Sequence, residues 1–341
     1  MSETVADASR QTSETEEGAS RPGRVDTPIR SLAWFALAGV PLSVATRWVP
    51  GAPQDTLNRA VIGAVLVVAP LGLAVAWATS PGGRGVASKL RGLLAWLVPL
   101  AGVGAVGSMI VPATSATAAV LVGPWVAATL LAVAERRLAL GRAWREPEGL
   151  AALGAIVCAA VGAGWLAAAR LGLAPFGVDP ITHVLVVVHL HSATLAGPLF
   201  AAAALRRLAS DGRPARPPVA WIATGGQLLG AVGVALGVLV SRPVQSVGTL
   251  VLTVGLALAC VLVLRACRGA PWLPRLLLLV AVASAAVAMP LALAQAAGRP
   301  FGASLTLEWM LRIHGQANLH GFSACGLGGA YLLLRSPTRG D

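Results

Sequence analysis

After a polar beginning, the chain alternates long apolar runs with short connectors that carry most of its arginines. The apolar runs cover approximately residues 31–48, 57–79, 91–113, 115–135, 149–170, 181–205, 219–241, 244–265, 275–296 and 309–334. Most are near the length that a helix needs to cross roughly 30 Å of hydrocarbon at about 1.5 Å per residue. Helices are the economical reading, because an open strand leaves backbone groups unpaired in lipid. The first run is short and interrupted by Pro41, and only a tight turn near Pro112 separates the third run from the fourth. The pattern predicts an all-α fold, a polytopic transmembrane helical bundle of about ten spans. Small residues at four-residue spacing, Gly226 with Gly230 and Gly233 with Gly237, predict close packing of the seventh span on its neighbours.

Composition agrees. The chain is 56% hydrophobic, its mean hydropathy is +0.75, and 12% of its residues are charged. A soluble domain carries roughly 25% charged residues, so this supply cannot build a solvated exterior and the lipid bilayer must cover it. The net charge of +12 does not point to nucleic acid. Its arginines sit in short clusters between apolar runs, with no basic stripe carrying interleaved aromatics. Cys158, Cys260, Cys267 and Cys325 form no CxxC pair and read as small buried hydrophobes.

Three regions follow. Residues 1–29 are rich in Ser, Thr, Glu, Arg and Gly and are expected to be a disordered tail. That tail is too long and too acidic for the n-region of a cleaved signal peptide, so the first span is expected to be retained. Residues 30–335 form the transmembrane domain and 336–341 a short tail. With ten spans, every basic residue except Arg47, Arg59, Arg170, Arg242, Arg299 and Arg312 falls on the side of the two termini. The positive-inside rule then predicts a multi-pass protein of the cell membrane with both termini cytoplasmic.

All five histidines, His183, His189, His191, His314 and His320, fall in two spans. Both spans run inward from the outer face in that topology. His189, His191 and His314 then lie at similar depth, roughly 13–16 Å below the outer helix ends. Ionisable groups are costly in hydrocarbon and usually face a protein interior or a wet cavity. A single one could be a packing residue, but five in two spans point to a shared site. At about 100° per residue, Arg312, Gln316 and His320 form one stripe of the tenth span and His314 with Asn318 another. His189 and His191 point to nearly opposite sides, so only a subset of the five can converge. Thr194 and Gln227 are polar groups near enough in the pattern to join a substrate site. Glu308 and Arg312, four apart, are either a surface ion pair or a device that orients a histidine. Asp179 before Pro180 reads as the cap of the sixth helix.

Two segments carry a resemblance. His189-Leu-His191 with the Ala-Thr-Leu-Ala-Gly after Ser192, and His314-Gly-Gln-Ala-Asn318-Leu-His320-Gly-Phe322, resemble the characteristic segments of the YndJ-like family of bacterial membrane proteins. His314, Gly315, Asn318, Gly321 and Phe322 correspond to that pattern, whereas His320 stands where the family is usually apolar. The similarity lies in the C-terminal half, implies a site on these helices, and names no reaction.

The residues support three kinds of chemistry. The first is an enzyme acting on a lipophilic small molecule by cyclisation, isomerisation or dehydration. His189, His191 and His314 would supply acid and base, with Asn318, Glu308 and Arg312 as catalytic partners and Gln316, Thr194 and Gln227 as substrate contacts. No Walker A motif, no GxSxG elbow and no carboxylate deep within a span is visible, which argues against magnesium–diphosphate chemistry. No cofactor is obligatory. The second is a transition-metal or haem protein drawing ligands from His183, His189, His191, His314 and His320, although the rings of an HxH pair diverge on a helix. The third is a proton-coupled transporter. The sequence points to no protein partner.

Overall fold

A computed structural model describes residues 26–45, 53–79, 85–298 and 306–337. Most of the N-terminal tail, the last four residues, Arg47 and Arg299 lie outside the described residues. The described chain is almost entirely helical and contains no strand.

The elements are α1 (Asp26–Ala45), α2 (Pro53–Gly63, Ala64–Val68 and Ala69–Thr79), α3 (Val86–Ser108), α4 (Ala116–Leu140) and α5 (Pro147–Arg170). They continue as α6 (Pro180–His191 and Ala193–Ser210), α7 (Pro217–Val240), α8 (Arg242–Ala266) and α9 (Trp272–Ala297). The last, α10, is assembled from Leu307–Trp309, Met310–Gly315, Ala317–Ala324 and Cys325–Arg335. Eight helices, α2 to α9, are long and apolar enough to cross a membrane. The chain is a multi-pass membrane bundle. Neither α1, 20 residues with Pro41 inside, nor α10 belongs to that set of eight. In α10, His314, Gln316, Asn318 and His320 dilute the apolar run.

From Gly63 to Trp77, α2 is buried on all sides and apolar all round, the pattern of a helix with no lipid face. The other spans keep one face for the interior and turn residues such as Leu100, Val120, Leu229 and Val247 outward. Between α7 and α8 the glycine spacing has the expected effect. A Cβ on Gly233 would stand 2.8 Å from the Cα of Gly248, and one on Gly230 would stand 2.4 Å from the Leu252 amide nitrogen. Only glycine permits that approach.

Helix ends are capped by the residues the sequence offers. Asp179 accepts from the Ile181 and Thr182 amides at 3.0 Å each, as its position before Pro180 predicts, and Ser115 accepts from Ala118 at 3.1 Å. Asp179 lies outside the spans. Hydrogen bonds from the Thr182 side chain and amide, with a further one from the Ile181 amide, hold its carboxyl below the ordinary carboxylate value.

Three helices depart from regular α geometry at one level of the bundle. α2 carries a π-helical stretch at Ala64–Val68, and α10 is π-helical over Met310–Gly315 and Ala317–Ala324. α6 breaks at Ser192, whose φ and ψ are −115° and −92°. The π stretch of α2 packs against both the first half of α6 and the π-helical part of α10. Side chains patch the break. Ser192 Oγ donates to the Val188 carbonyl at 2.5 Å and Thr194 Oγ1 donates to the His189 carbonyl at 2.9 Å. A buried carbonyl left bare would cost about 1–3 kcal/mol, so the Ser-Ala-Thr sequence makes the break affordable in lipid.

Candidate functional site

The five histidines separate into distinct environments. His189 on α6 and His314 on α10 meet, with ring centroids 6.1 Å apart and planes inclined by 29°. Each is oriented by a main-chain carbonyl. His189 Nδ1 donates to Leu185 at 2.8 Å and His314 Nδ1 donates to Ala288 of α9 at 2.9 Å. A carbonyl only accepts, so both Nδ1 atoms carry hydrogen and each neutral ring keeps its lone pair on Nε2. On His314 that lone pair accepts from Asn318 Nδ2 at 2.8 Å, a contact made one turn along α10. His314 and Asn318 are buried, whereas His189 is exposed.

His191 faces the other way, as the angular argument requires. Its Nε2 accepts from Trp125 Nε1 of α4 at 3.1 Å, its Nδ1 donates to the Val187 carbonyl at 3.0 Å, and its exposure is 0%. Both ring nitrogens are therefore occupied by the protein. Gly162 of α5 makes the room, because a Cβ there would lie 2.7 Å from the imidazole. His183 donates Nε2–H to the Trp165 carbonyl at 2.9 Å and stands edge-on to the Trp165 ring. His320 Nε2 meets Ser43 Oγ of α1 at 3.2 Å. Among the described residues, no group of three or more His, Cys, Asp and Glu side chains is placed to hold a metal ion. His189 and His314 are the two imidazoles the fold brings face to face.

Thr194 serves the His189 carbonyl and so holds the end of the helical turn that carries the ring. Gln227 is buried, donates Nε2 to the Ala223 carbonyl at 2.6 Å, and has its Oε1 seated where a Cβ on Gly197 of α6 would be. Gln316 Oε1 is buried and has no hydrogen-bond partner in the described structure. Glu308 and Arg312 form an ion pair of 2.7 Å with side chains 62% and 74% exposed. That is the surface-pair geometry of a helix i,i+4 contact, and neither residue is drawn toward a histidine.

Residues 59–322, from the beginning of α2 to the π-helical part of α10, match the family model described as YndJ-like protein. The chain belongs to the YndJ-like family. The match covers most of the chain, wider than the C-terminal segments alone, and it takes in α2, α6 and α10 together. No curated protein and no solved structure matches the chain.

One cluster escapes the sequence reading of this YndJ-like chain. Glu135 of α4, five residues before the end of that helix, is fully buried with Arg136, Arg91 of α3 and Trp77 of α2. Its Oε1 accepts from Arg91 Nη2 and Arg136 Nη2, both at 2.9 Å. Its Oε2 accepts from Trp77 Nε1 at 2.8 Å and Arg136 Nε at 2.9 Å. Arg136 Nη1 also donates to the Ala76 carbonyl at 2.6 Å. The sequence reading places no carboxylate deep within a span and counts Arg91 and Arg136 among the basic residues on the side of the termini; the structure buries Glu135, Arg91 and Arg136 together near the end of α4. A Glu-Arg-Arg run at a helix end resembles a topology-setting charge cluster. The signal for burial was Trp77, an indole that needs a hydrogen-bond partner inside a packed helix end.

Proposed function

We propose that this YndJ-like protein is a membrane-embedded enzyme that moves protons on a lipophilic small molecule by means of His189 and His314, as in isomerisation, cyclisation or dehydration. The observation that carries the reading is the approach of the two rings at 6.1 Å with both Nδ1 atoms tied to carbonyls. Repulsion between two imidazolium ions in so small a space limits the pair to at most one added proton. His189, whose Nε2 has no hydrogen-bond partner among the described residues, exchanges the proton with substrate, and His314 does so only when Asn318 releases its Nε2. His189 Nε2 takes a proton from the substrate. Asn318 serves either state of His314, donating to the neutral ring and, with its amide turned, accepting from the imidazolium. Gln316 Oε1, buried and unpaired, supplies an acceptor for a substrate hydroxyl. His191 supports the site by locking α6 to α4. Glu308 and Arg312 stand outside the proposed chemistry. No cofactor is needed for this step.

The same geometry supports a second reading, a proton-coupled transporter. A broken helix facing two π-helical segments is the kind of discontinuity that lines permeation sites. Ten spans with both termini in the cytoplasm complete the proposal for the cell membrane. Its support is the concentration of arginines at the end of the bundle that holds the α6–α7 and α8–α9 connections.

Metabolite profiles of a deletion strain complemented with the parent, His189→Ala, His314→Ala or Asn318→Ala test the enzyme. A substrate should accumulate and its product vanish with His189→Ala and His314→Ala, while Glu308→Ala behaves as the parent. Unchanged profiles with both histidine variants would sink the enzyme reading. Proton-gradient-dependent flux of a profiled compound into proteoliposomes, without its conversion, would establish the transporter in its place.

A further inference from the structure

At the end of the bundle where α3 and α5 finish and α2 and α6 begin, the helices surround a cavity of about 390 Å³. Small-molecule sites typically span roughly 300–1,000 Å³. Met109, Leu166 and Val184 make apolar wall, and Asn58, Arg170 and His183 are polar groups in the lining. Neither His189 nor His314 belongs to this lining, so the cavity is separate from the paired imidazoles.

Arg170, the last residue of α5, is built into the wall by both of its ends. Its Nη2 donates to the Val111 carbonyl at 2.5 Å, and its own carbonyl accepts from the Thr114 amide at 2.8 Å. The guanidinium Nε is buried without a hydrogen-bond partner. No ion pair to Arg170 is present among the described residues. His183 is held by the Trp165 carbonyl and ring, so it is a fixed part of the wall. The neighbouring loops contain two non-glycine residues in the left-handed region, Thr114 at φ 67° and Phe176 at φ 59°. Backbone of that kind persists where the surrounding structure over-determines it, and it gathers at binding sites.

A guanidinium without a counter-ion, set in an apolar wall, attracts an anion by charge and by its fixed fork of donors. The rest of the wall favours an apolar body. We propose that this cavity binds an amphipathic anion, with a carboxylate or phosphate head on Arg170 and an apolar body against Met109, Leu166 and Val184. A lipid headgroup and a free amphipathic acid share that chemistry. The proposal goes beyond the acid–base reading, and its readout is binding rather than turnover, so either can fail alone.

The test is calorimetric titration of the full chain in phosphatidylcholine nanodiscs with 4-phenylbutyrate and with its uncharged amide. The parent should bind the acid saturably and at least tenfold more tightly than the amide. Arg170→Gln should weaken the acid at least tenfold and abolish the preference, and Arg170→Lys should keep part of it. Val184→Trp leaves the Arg170 hydrogen bonds in place and fills the cavity, so it should weaken acid and amide alike. Displacement of the acid by added phosphatidylglycerol would identify a lipid headgroup as the occupant, and its failure a free acid. Absence of saturable binding, equal affinity for acid and amide, or an Arg170→Gln variant that melts and binds like the parent would overturn the proposal.

Discussion

Replacing Glu135 by Gln removes a negative charge that faces two buried arginines. The carboxylate accepts from Trp77 Nε1 at 2.8 Å, Arg91 Nε at 3.1 Å, Arg91 Nη2 at 2.9 Å, Arg136 Nε at 2.9 Å and Arg136 Nη2 at 2.9 Å. Glutamine keeps one acceptor oxygen and turns an N–H group toward donors that previously faced the other. The guanidiniums then share a buried site without the Glu135 carboxylate between them. Removing one partner of such a pair costs about 3–5 kcal/mol, because the surviving charge is left uncompensated. Against a typical stability of about 5–15 kcal/mol, that is a large fraction. Unfolding of purified protein by sodium dodecyl sulfate in mixed micelles, followed by circular dichroism, should show a loss of about 3–5 kcal/mol for Glu135→Gln. If the cause is uncompensated charge, adding Arg91→Met to Glu135→Gln should recover part of the loss, although Arg91→Met alone destabilises. The reasoning is refuted if Glu135→Gln lies within about 0.5 kcal/mol of the parent, the range of an ordinary surface substitution. Strictly additive losses in the double variant would refute it as well.

Other substitutions probe the supports of the site. Gly162→Val places a side chain 2.7 Å or less from the His191 ring and should cost about 1–3 kcal/mol by overpacking, while Gly164→Ala, which meets nothing within 4 Å, should melt like the parent. Along the α7–α8 seam, Gly233→Ala should lower the melting temperature and Gly225→Ala should not, since a Cβ at 225 enters open space. Asp179→Ala removes the α6 cap and should cost about 1 kcal/mol at neutral pH, read as the difference in melting temperature. The Asp179 carboxyl sits below its ordinary value of 3.8 in the folded protein, so its stabilisation is complete above that value. It is lost as pH falls through the lowered value, and parent and variant should converge there.

Much of this protein was legible in one dimension. The apolar runs between arginine-bearing connectors determine a helical membrane bundle, because lipid forces every backbone group to pair within its own helix. The glycine spacing of α7 anticipates its seam with α8, and Asp179 before Pro180 anticipates the cap, since both depend on neighbours a few residues apart. Periodicity alone also separates His189 from His191, as two residues on one helix two positions apart must face different ways.

What the sequence could not decide was which faces meet. His189 finds His314 across α6 and α10, while Trp125, 66 residues away, occupies the last lone pair of His191. The break at Ser192 and the π-helical turns of α10 are local departures from α geometry that the apolar pattern does not mark. Glu135 reads as one more charge at a helix end until Arg91 and Trp77 arrive from α3 and α2 to enclose it. Local propensity and the solvent set the helices, whereas the cost of burying an unpaired polar group in lipid selects the partners, and those partners come from elsewhere in the chain.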